Sequence, residues 1–318
     1  MSSNGNNGFF RRLSYNIGLV IIALMFVFFS LVSDFFLSIP NVLNILHHGA
    51  ILGTLALGVT YIIILGEMDI SFANLMSFAS VLVAIFLRYG YSSLVSIVFA
   101  TAISVLLGTA NGFFVGYRGY SSIAVTLATS NLFLGLNYTV SKGRPIYAAM
   151  PDTFLAIGQN SIIGVPISVI LLIIVSVVTY FIIHATSYGQ KLYAVGSDQD
   201  SARVMGINVR LVKLVAFITA SIYVAISAVI STSRLGSGQP IVGSPYFLET
   251  LAAVFFGKAI SRQNVSTVIG TLTGTVVLSI LFNGVTLLGL PSYIYQLVLG
   301  LVLIFAMLAT IKRRTKMV

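Results

Sequence analysis

The sequence predicts an all-α polytopic membrane protein with about ten transmembrane helices, and three observations carry that reading. The 318-residue chain is 58% hydrophobic and only 8% charged, whereas a soluble domain carries roughly 25% charged residues. Its mean hydropathy is +1.03. The apolar residues gather into runs of about 20, the length a helix needs to cross a bilayer core. The absence of cysteine removes disulfides, thiolate metal sites and a cysteine nucleophile. The net charge of +10 sits at the ends of the apolar runs, which argues against nucleic acid as a partner.

The candidate crossings are roughly 16–33, 47–65, 70–88, 93–115, 122–141, 161–183, 213–232, 246–262, 265–282 and 293–310. Arg11 and Arg12 precede the first, and no small-x-small cleavage site follows it, so it reads as a retained anchor. Lys and Arg set the orientation. With the N-terminus inside, Arg11, Arg12, Arg118, Lys191, Arg203, Arg210, Lys213, Lys258, Arg262, Lys312, Arg313, Arg314 and Lys316 collect on the cytoplasmic side. Arg88, Lys142, Arg144 and Arg234 fall outside. Both termini are therefore expected in the cytoplasm. A cytoplasmic tail, 1–15, precedes a single permeating domain, 16–311, and a short basic tail, 312–318, follows it.

The eighth segment is short. Tyr246–Gly257 would reach only about 18 Å as a helix against a core of about 30 Å. If it failed to cross, the basic C-terminus would move outside and invert the charge bias, so a full crossing is expected. Segments 2–5 and 7–10 show a weak inverted repeat. Asn111-Gly112 closes segment 4 and Ser121-Ser122 opens segment 5, while Asn283-Gly284 closes segment 9 and Pro291-Ser292 opens segment 10.

The longest polar interruption is the cytoplasmic loop 185–212. Within it Asp198 to Met205 fits about two helical turns, with Ser197 as N-cap, Asp198 and Asp200 in the first turn, Arg203 in the last and Gly206 as C-cap. So short a helix is unstable alone and needs a surface to dock on. The loop 142–160 has the polarity of a partly ordered external lid.

Few residues can carry chemistry. Glu67 and Asp69, in Gly66-Glu67-Met68-Asp69-Ile70-Ser71, occupy either a cytoplasmic hairpin turn or a polar break lining a translocation path. A carboxylate within a bilayer normally faces water or pairs with a base. Glu249 follows Arg234-Leu235-Gly236-Ser237-Gly238-Gln239-Pro240, an irregular stretch at a membrane boundary. Glu249 and Arg234 are either structural or pore-lining. His47 and His48 lie at the face opposite His184, which leaves no three-ligand zinc site. Gly257-Lys258-Ala259 lacks the preceding glycine and the hydroxyl of a phosphate-binding loop, so ATP cannot be bound that way.

These stretches, taken in order, resemble the permease subunits of bacterial ATP-binding-cassette importers, and most closely their ribose/monosaccharide branch. The match runs from about Asn41 to Leu308. It is carried by Gly66–Ser71, Asn111-Gly112, Thr126-Leu127, Tyr188-Gly189-Gln190, Ala194–Ser197, Ala202–Val209, Arg234–Pro240, Ala252-Ala253-Val254 and Asn283-Gly284 through Leu288-Gly289. The resemblance implies a multi-pass protein of the bacterial inner membrane that forms the pore with a second permease. Cytoplasmic ATPase subunits would hold ATP and Mg, an extracytoplasmic solute-binding protein would deliver a sugar or polyol, and this chain would bind no cofactor. It further implies that Ser197, Asp198, Gln199, Asp200, Ala202, Arg203, Met205 and Gly206 form the helix that seats in the ATPase. Glu67, Asp69, Asn111, Gln239, Glu249 and Asn283 remain the candidates for the path or its gate.

The sequence departs from the family pattern twice. Glu67 replaces the second of two glycines, and Phe255–Asn264 holds one glycine where several are expected. Such drift suggests a heterodimer of two non-identical permeases. The main rival function is an ion-coupled secondary transporter or channel using Glu67 and Asp69. An intramembrane enzyme would need a nucleophile and base clustered within the bilayer, and none is legible.

Overall fold

The structure, a computed structural model, describes residues 17–261 and 265–314. Among these the chain forms helices α1 (Ile17–Val32), α2 (Ile39–Ile64), α3 (Phe72–Arg88), α4 (Ser93–Gly116) and α5 (Ser122–Ser141). A short strand β1 (Ile146–Tyr147), helix α6 (Asp152–Gln159) and the strands β2 (Ser161–Ile162) and β3 (Val165–Pro166) lead into α7 (Ile167–Ala185). Next come α8 (Ser187–Ser197), α9 (Gln199–Val204), α10 (Val209–Leu235), β4 (Ser237–Gly238), α11 (Tyr246–Ile260), α12 (Val268–Leu287) and α13 (Ser292–Arg314). Each of the apolar segments read from the sequence contains a helix. Among the described residues six, α2, α4, α5, α7, α10 and α12, are long and apolar enough to cross a membrane.

Several boundaries differ from expectation for local reasons. α2 starts at Ile39, well before 47, because Pro40 is tolerated in a first helical turn, where its missing N–H has no intrahelical partner to lose. The segment expected from 161 begins as a β-hairpin, and α7 starts only after Pro166. Its turn places Ile163 and Gly164 at φ 54° and 77°. α13 continues through Arg314, into the expected basic tail. The tail 1–15, the turn at Arg262-Gln263-Asn264, and Lys316 lie outside the described residues.

The described residues fall into two compact units, those up to Gly49 together with those from Leu251 onward, and Ala50–Thr250. The second is built around α3 and α10. α3 is buried on nearly every side, with Ser77 and Ser80 among its buried residues. α4 packs along α10 through small residues at four-residue spacing, Ser96, Ala100, Ser104, Gly108 and Gly112, all buried. A Cβ at Gly108 would lie 2.5 Å from Ser221 Cβ, and one at Gly116 2.7 Å from the Arg210 carbonyl. The backbones approach this closely because apolar lipid offers no hydrophobic drive, so tight packing has to supply the attraction. α2 meets α10 along another stripe, where Gly58 faces Tyr223, whose hydroxyl is 2.7 Å from Thr179 Oγ1 on α7.

The loop 142–160 is more ordered than its polarity suggests. α6 packs on the C-terminal end of α10. Ser233 Oγ accepts from Gly158 N at 2.7 Å and lies 2.6 Å from the Phe154 carbonyl, to which it donates. Gln159 Nε2 donates to the Ser233 and Arg234 carbonyls, orphans of the last α10 turn. β1 pairs with β4 in antiparallel register, Ile146 opposite Gly238.

In the other unit, α1 lies on α12, with the Phe29 ring seated on Gly284. The later half of α11 meets α12 where Gly257 faces Gly270 and Gly274 faces the Ala253 carbonyl.

Gly108→Val should overpack the α4–α10 contact and cost about 1–3 kcal/mol, lowering the thermal midpoint in detergent. Gly135→Val on α5, where an added Cβ meets nothing within 4 Å, should leave that midpoint near wild type.

Candidate functional site

Most of the candidate residues fall on two interruptions of buried helical backbone and on the α8–α9 loop, while Asn111, Glu249 and Asn283 stand on α4, α11 and α12. The first interruption joins α2 to α3. α2 closes with Gly66 at φ 75°, with Gly66 N donating to Ile63 O at 3.1 Å and Glu67 N to Ile62 O at 3.2 Å. That is a Schellman cap, which glycine adopts without penalty. The next amides cannot find helical partners. Met68 N donates to Ser122 Oγ at 3.2 Å, Ile70 N to Thr126 Oγ1 at 3.0 Å, and Ser71 N to Asp69 Oδ1 at 2.7 Å.

α5 supplies these acceptors because its buried face is polar. Ser122, Thr126, Ser130, Phe133, Asn137 and Ser141 line it at helical spacing. Ser130 Oγ also donates to the Ile70 carbonyl at 3.4 Å, and Asn74 Nδ2 donates to Ser130 Oγ at 2.9 Å. The opposite face is apolar and exposed, with Ile123, Leu127 and Leu132 among its residues.

The second interruption, 236–245, joins α10 to α11. Gly236 ends α10 at φ 63°. Ser80 Oγ of α3 accepts from Gln239 N at 3.2 Å and from Thr232 Oγ1 at 2.7 Å, and Ser77 Oγ accepts from Gly243 N at 2.9 Å. Asn137 Nδ2 of α5 donates to the Pro240 carbonyl at 2.6 Å. A Cβ at Gly243 would run into the Ala73 carbonyl. α5 therefore holds both interruptions from one stripe.

Asp69 and Asn111 come together through Ser71. The Ser71 hydroxyl donates to Asp69 Oδ1 at 2.6 Å and accepts from Asn111 Nδ2 at 2.9 Å. Glu67 Oε1 lies 2.5 Å from Lys213 Nζ, and both side chains are almost buried. Gln199 Nε2 donates to the same oxygen at 3.4 Å. Gln239 Nε2 donates to Ser237 Oγ at 2.8 Å. Glu249 is buried on the first turns of α11. Asn283, in the other unit, exchanges amide hydrogen bonds with Asn41 at 2.8 and 3.0 Å.

In the α8–α9 loop the expected helix is present, with one correction. Ser197 is not its cap, because α8 runs through Ser197 and the cap passes to Asp198. Asp198 Oδ1 accepts from Ser201 N at 2.6 Å. That hydrogen bond to the charged form holds the Asp198 carboxylate below its ordinary range. Asp200 and Arg203 pair at 2.7 Å on the exposed surface, Ala202 is buried, and Gly206 ends the helix at φ 79°. Val204 and Met205 are 89% and 67% exposed, a large apolar surface on so polar a loop. Beside them Tyr117, Arg203, Gly206, Asn208 and Arg210 line an open cleft of about 400 Å³.

Sequence reasoning missed Lys213, which was counted only as a positive charge, together with the α5 hydroxyls and the Gly108–Gly116 stripe. The signals were present. Ser122, Thr126 and Ser130 recur every four residues in an otherwise apolar segment, and Lys213 sits inside the apolar part of α10.

Residues 41–307 match the family model described as branched-chain amino acid transport system / permease component. The chain is 31% identical to the ribose import permease protein RbsC of Bacillus subtilis, over 96% of this chain and 95% of that protein. It is 30% identical to RbsC of Haemophilus influenzae, over 88% of each. It is 27% identical to the xylose transport system permease protein XylH of Haemophilus influenzae, over 96% of this chain and 98% of that one. No solved structure matches the chain.

Thr126→Val keeps the shape but strips the acceptor from the Ile70 amide. It should cost about 1–3 kcal/mol, read as a fall in thermal midpoint, while Thr126→Ser stays close to wild type.

Proposed function

Because the chain belongs to the branched-chain amino acid transport system / permease component family, we propose that α9 is the point at which an ATPase drives it. The chain is a multi-pass inner-membrane protein, a pore-forming permease subunit of an ATP-driven sugar importer, and a transport subunit rather than an enzyme. Its similarity to ribose and xylose permeases along nearly the whole length supports a monosaccharide or related polyol as solute.

The observation that carries the coupling reading is the exposure of α9. Its outward side offers Val204 and Met205 beside a basic cleft, and its own charges are spent on an exposed i,i+3 pair. An exposed pair of this kind contributes about 0–1 kcal/mol, so it shapes the surface more than it stabilises the helix. Cytoplasmic ATPase subunits supply the docking cleft and hold ATP and Mg. An extracytoplasmic binding protein delivers the solute, and a second permease completes the pore. The glycine-poor stretch before Asn264 and the acidic Glu67 support a partner permease that is not identical to this chain.

Ten crossings with both termini in the cytoplasm fit the distribution of basic residues. The two series of elements α2–α5 and α10–α13 support an inverted repeat. The first helices have 26 and 27 residues and each ends in a left-handed glycine before an interruption. The third helices open with a Ser92 and a Thr267 cap, each accepting from the amide three residues on. On this reading α11, with 15 residues, crosses as the counterpart of the 17-residue α3. The ion-coupled alternative needs Glu67 or Asp69 open to a proton or cation. Both are engaged, by Lys213 and by Ser71, so the geometry gives that reading no support.

The test is uptake by proteoliposomes holding the ATPase subunits and the binding protein. Asp200→Lys and Arg203→Glu should abolish ATP-driven uptake while leaving insertion and ATP hydrolysis by the partner intact. Normal transport by both variants would refute the assignment of α9.

A further inference from the structure

We propose that Glu67 and Lys213 form a charged strut that carries displacement of α9 into the α2–α3 interruption and the base of α10. The proposal rests on α9 being the ATPase-driven element. Three segments converge on one carboxylate oxygen. Glu67 is the first residue beyond the Gly66 cap, Lys213 stands early in α10, and Gln199 is the first residue of α9.

The surrounding backbone is built to bring these segments together. Gly196, near the end of α8, is so close to Ile64 that an added Cβ would run into the Ile64 carbonyl. Gly116 of α4 likewise receives the Arg210 carbonyl, which sets the base of α10 against α4. On α8, the Tyr188 hydroxyl donates to the Val212 carbonyl at 3.3 Å. The loop can therefore not shift without moving either Glu67 or its partner.

Stability alone is a poor reason for such a pair. Desolvating two charges offsets much of their attraction, and replacing both with uncharged groups is often neutral, whereas removing one leaves a buried charge uncompensated. The strut makes a different demand, namely that the two groups stay joined while α9 moves. It also accounts for an acidic side chain placed directly after a left-handed glycine and immediately before the amides held by α5.

The deciding variant is Glu67→Gln/Lys213→Met in the assembled complex, compared with the charge swap Glu67→Lys/Lys213→Glu. The neutral double variant should keep its thermal midpoint and continue to hydrolyse ATP, yet raise the ATP consumed per solute imported at least tenfold. The swap should bring that ratio back to within about threefold of wild type, since attraction between opposite charges is unchanged by exchanging them. A neutral double variant with wild-type stoichiometry would overturn the strut. If Asp200→Lys also transported normally, the α9 reading would fall with it. If Asp200→Lys uncoupled the complex and the neutral pair did not, only the strut would fall.

Discussion

The constraint on which the rest of this structure depends is that backbone polar groups released from a helix inside a membrane protein must find partners within the protein. An unpaired buried amide costs about 1–3 kcal/mol, and lipid supplies no replacement. This chain interrupts two buried helical paths, at 65–71 and at 236–245, and satisfies both from side chains on neighbouring helices. α5 turns its hydroxyls and Asn137 inward, an inversion of the usual helix, and leaves its apolar side exposed. α3 supplies Ser77 and Ser80 from its own buried surface.

That arrangement explains why the interruptions sit where they do. Each begins at a left-handed glycine, continues through amides held by hydroxyls, and gives way to a short helix that the protein surrounds. Close packing does the rest. The glycine stripe of α4 lets α10 approach to backbone distance, and α10 then links the α9 end of its unit to the end capped by α6. Under the proposed coupling role of α9, a central helix with an irregular segment at one end and the α8–α9 loop at the other suits rocking between two states. Such an element can have two discrete packings, because close-packed interiors do not deform continuously.

Much of the fold was legible because apolar length is a strong signal. The segment 122–141 coincides with α5, and Gly206 ends α9 as its position after Arg203 implied. The N-cap was misplaced by one residue because Ser197 and Asp198 are both good capping residues, and only the length of α8 decides between them. The loop 142–160 was expected to be partly ordered, but the contacts that order it were hidden, since Gly158 and Ser233 lie 75 residues apart. The site was less legible than the fold. Glu67 was recognisable as a carboxylate that either faces water or pairs with a base, but choosing the base, and choosing Lys213, requires knowing that α10 starts beside the end of α2. Hydroxyl stripes were readable in principle, at i, i+4 and i+8, though a serine in a membrane helix equally often bonds its own preceding turn, as Thr126 also does to the Ser122 carbonyl.

The central claim is that the α2–α3 interruption and the α8–α9 loop move as one piece when the partner ATPase acts. Hydrogen–deuterium exchange on the reconstituted complex, with and without ATP, addresses it most directly. The account predicts that amides of Glu67 to Ser71 change protection together with those of Gln199 to Met205, and with the same dependence on ATP. Protection gained in α9 while the amides of Met68 and Ile70 exchange at an unchanged rate would contradict it.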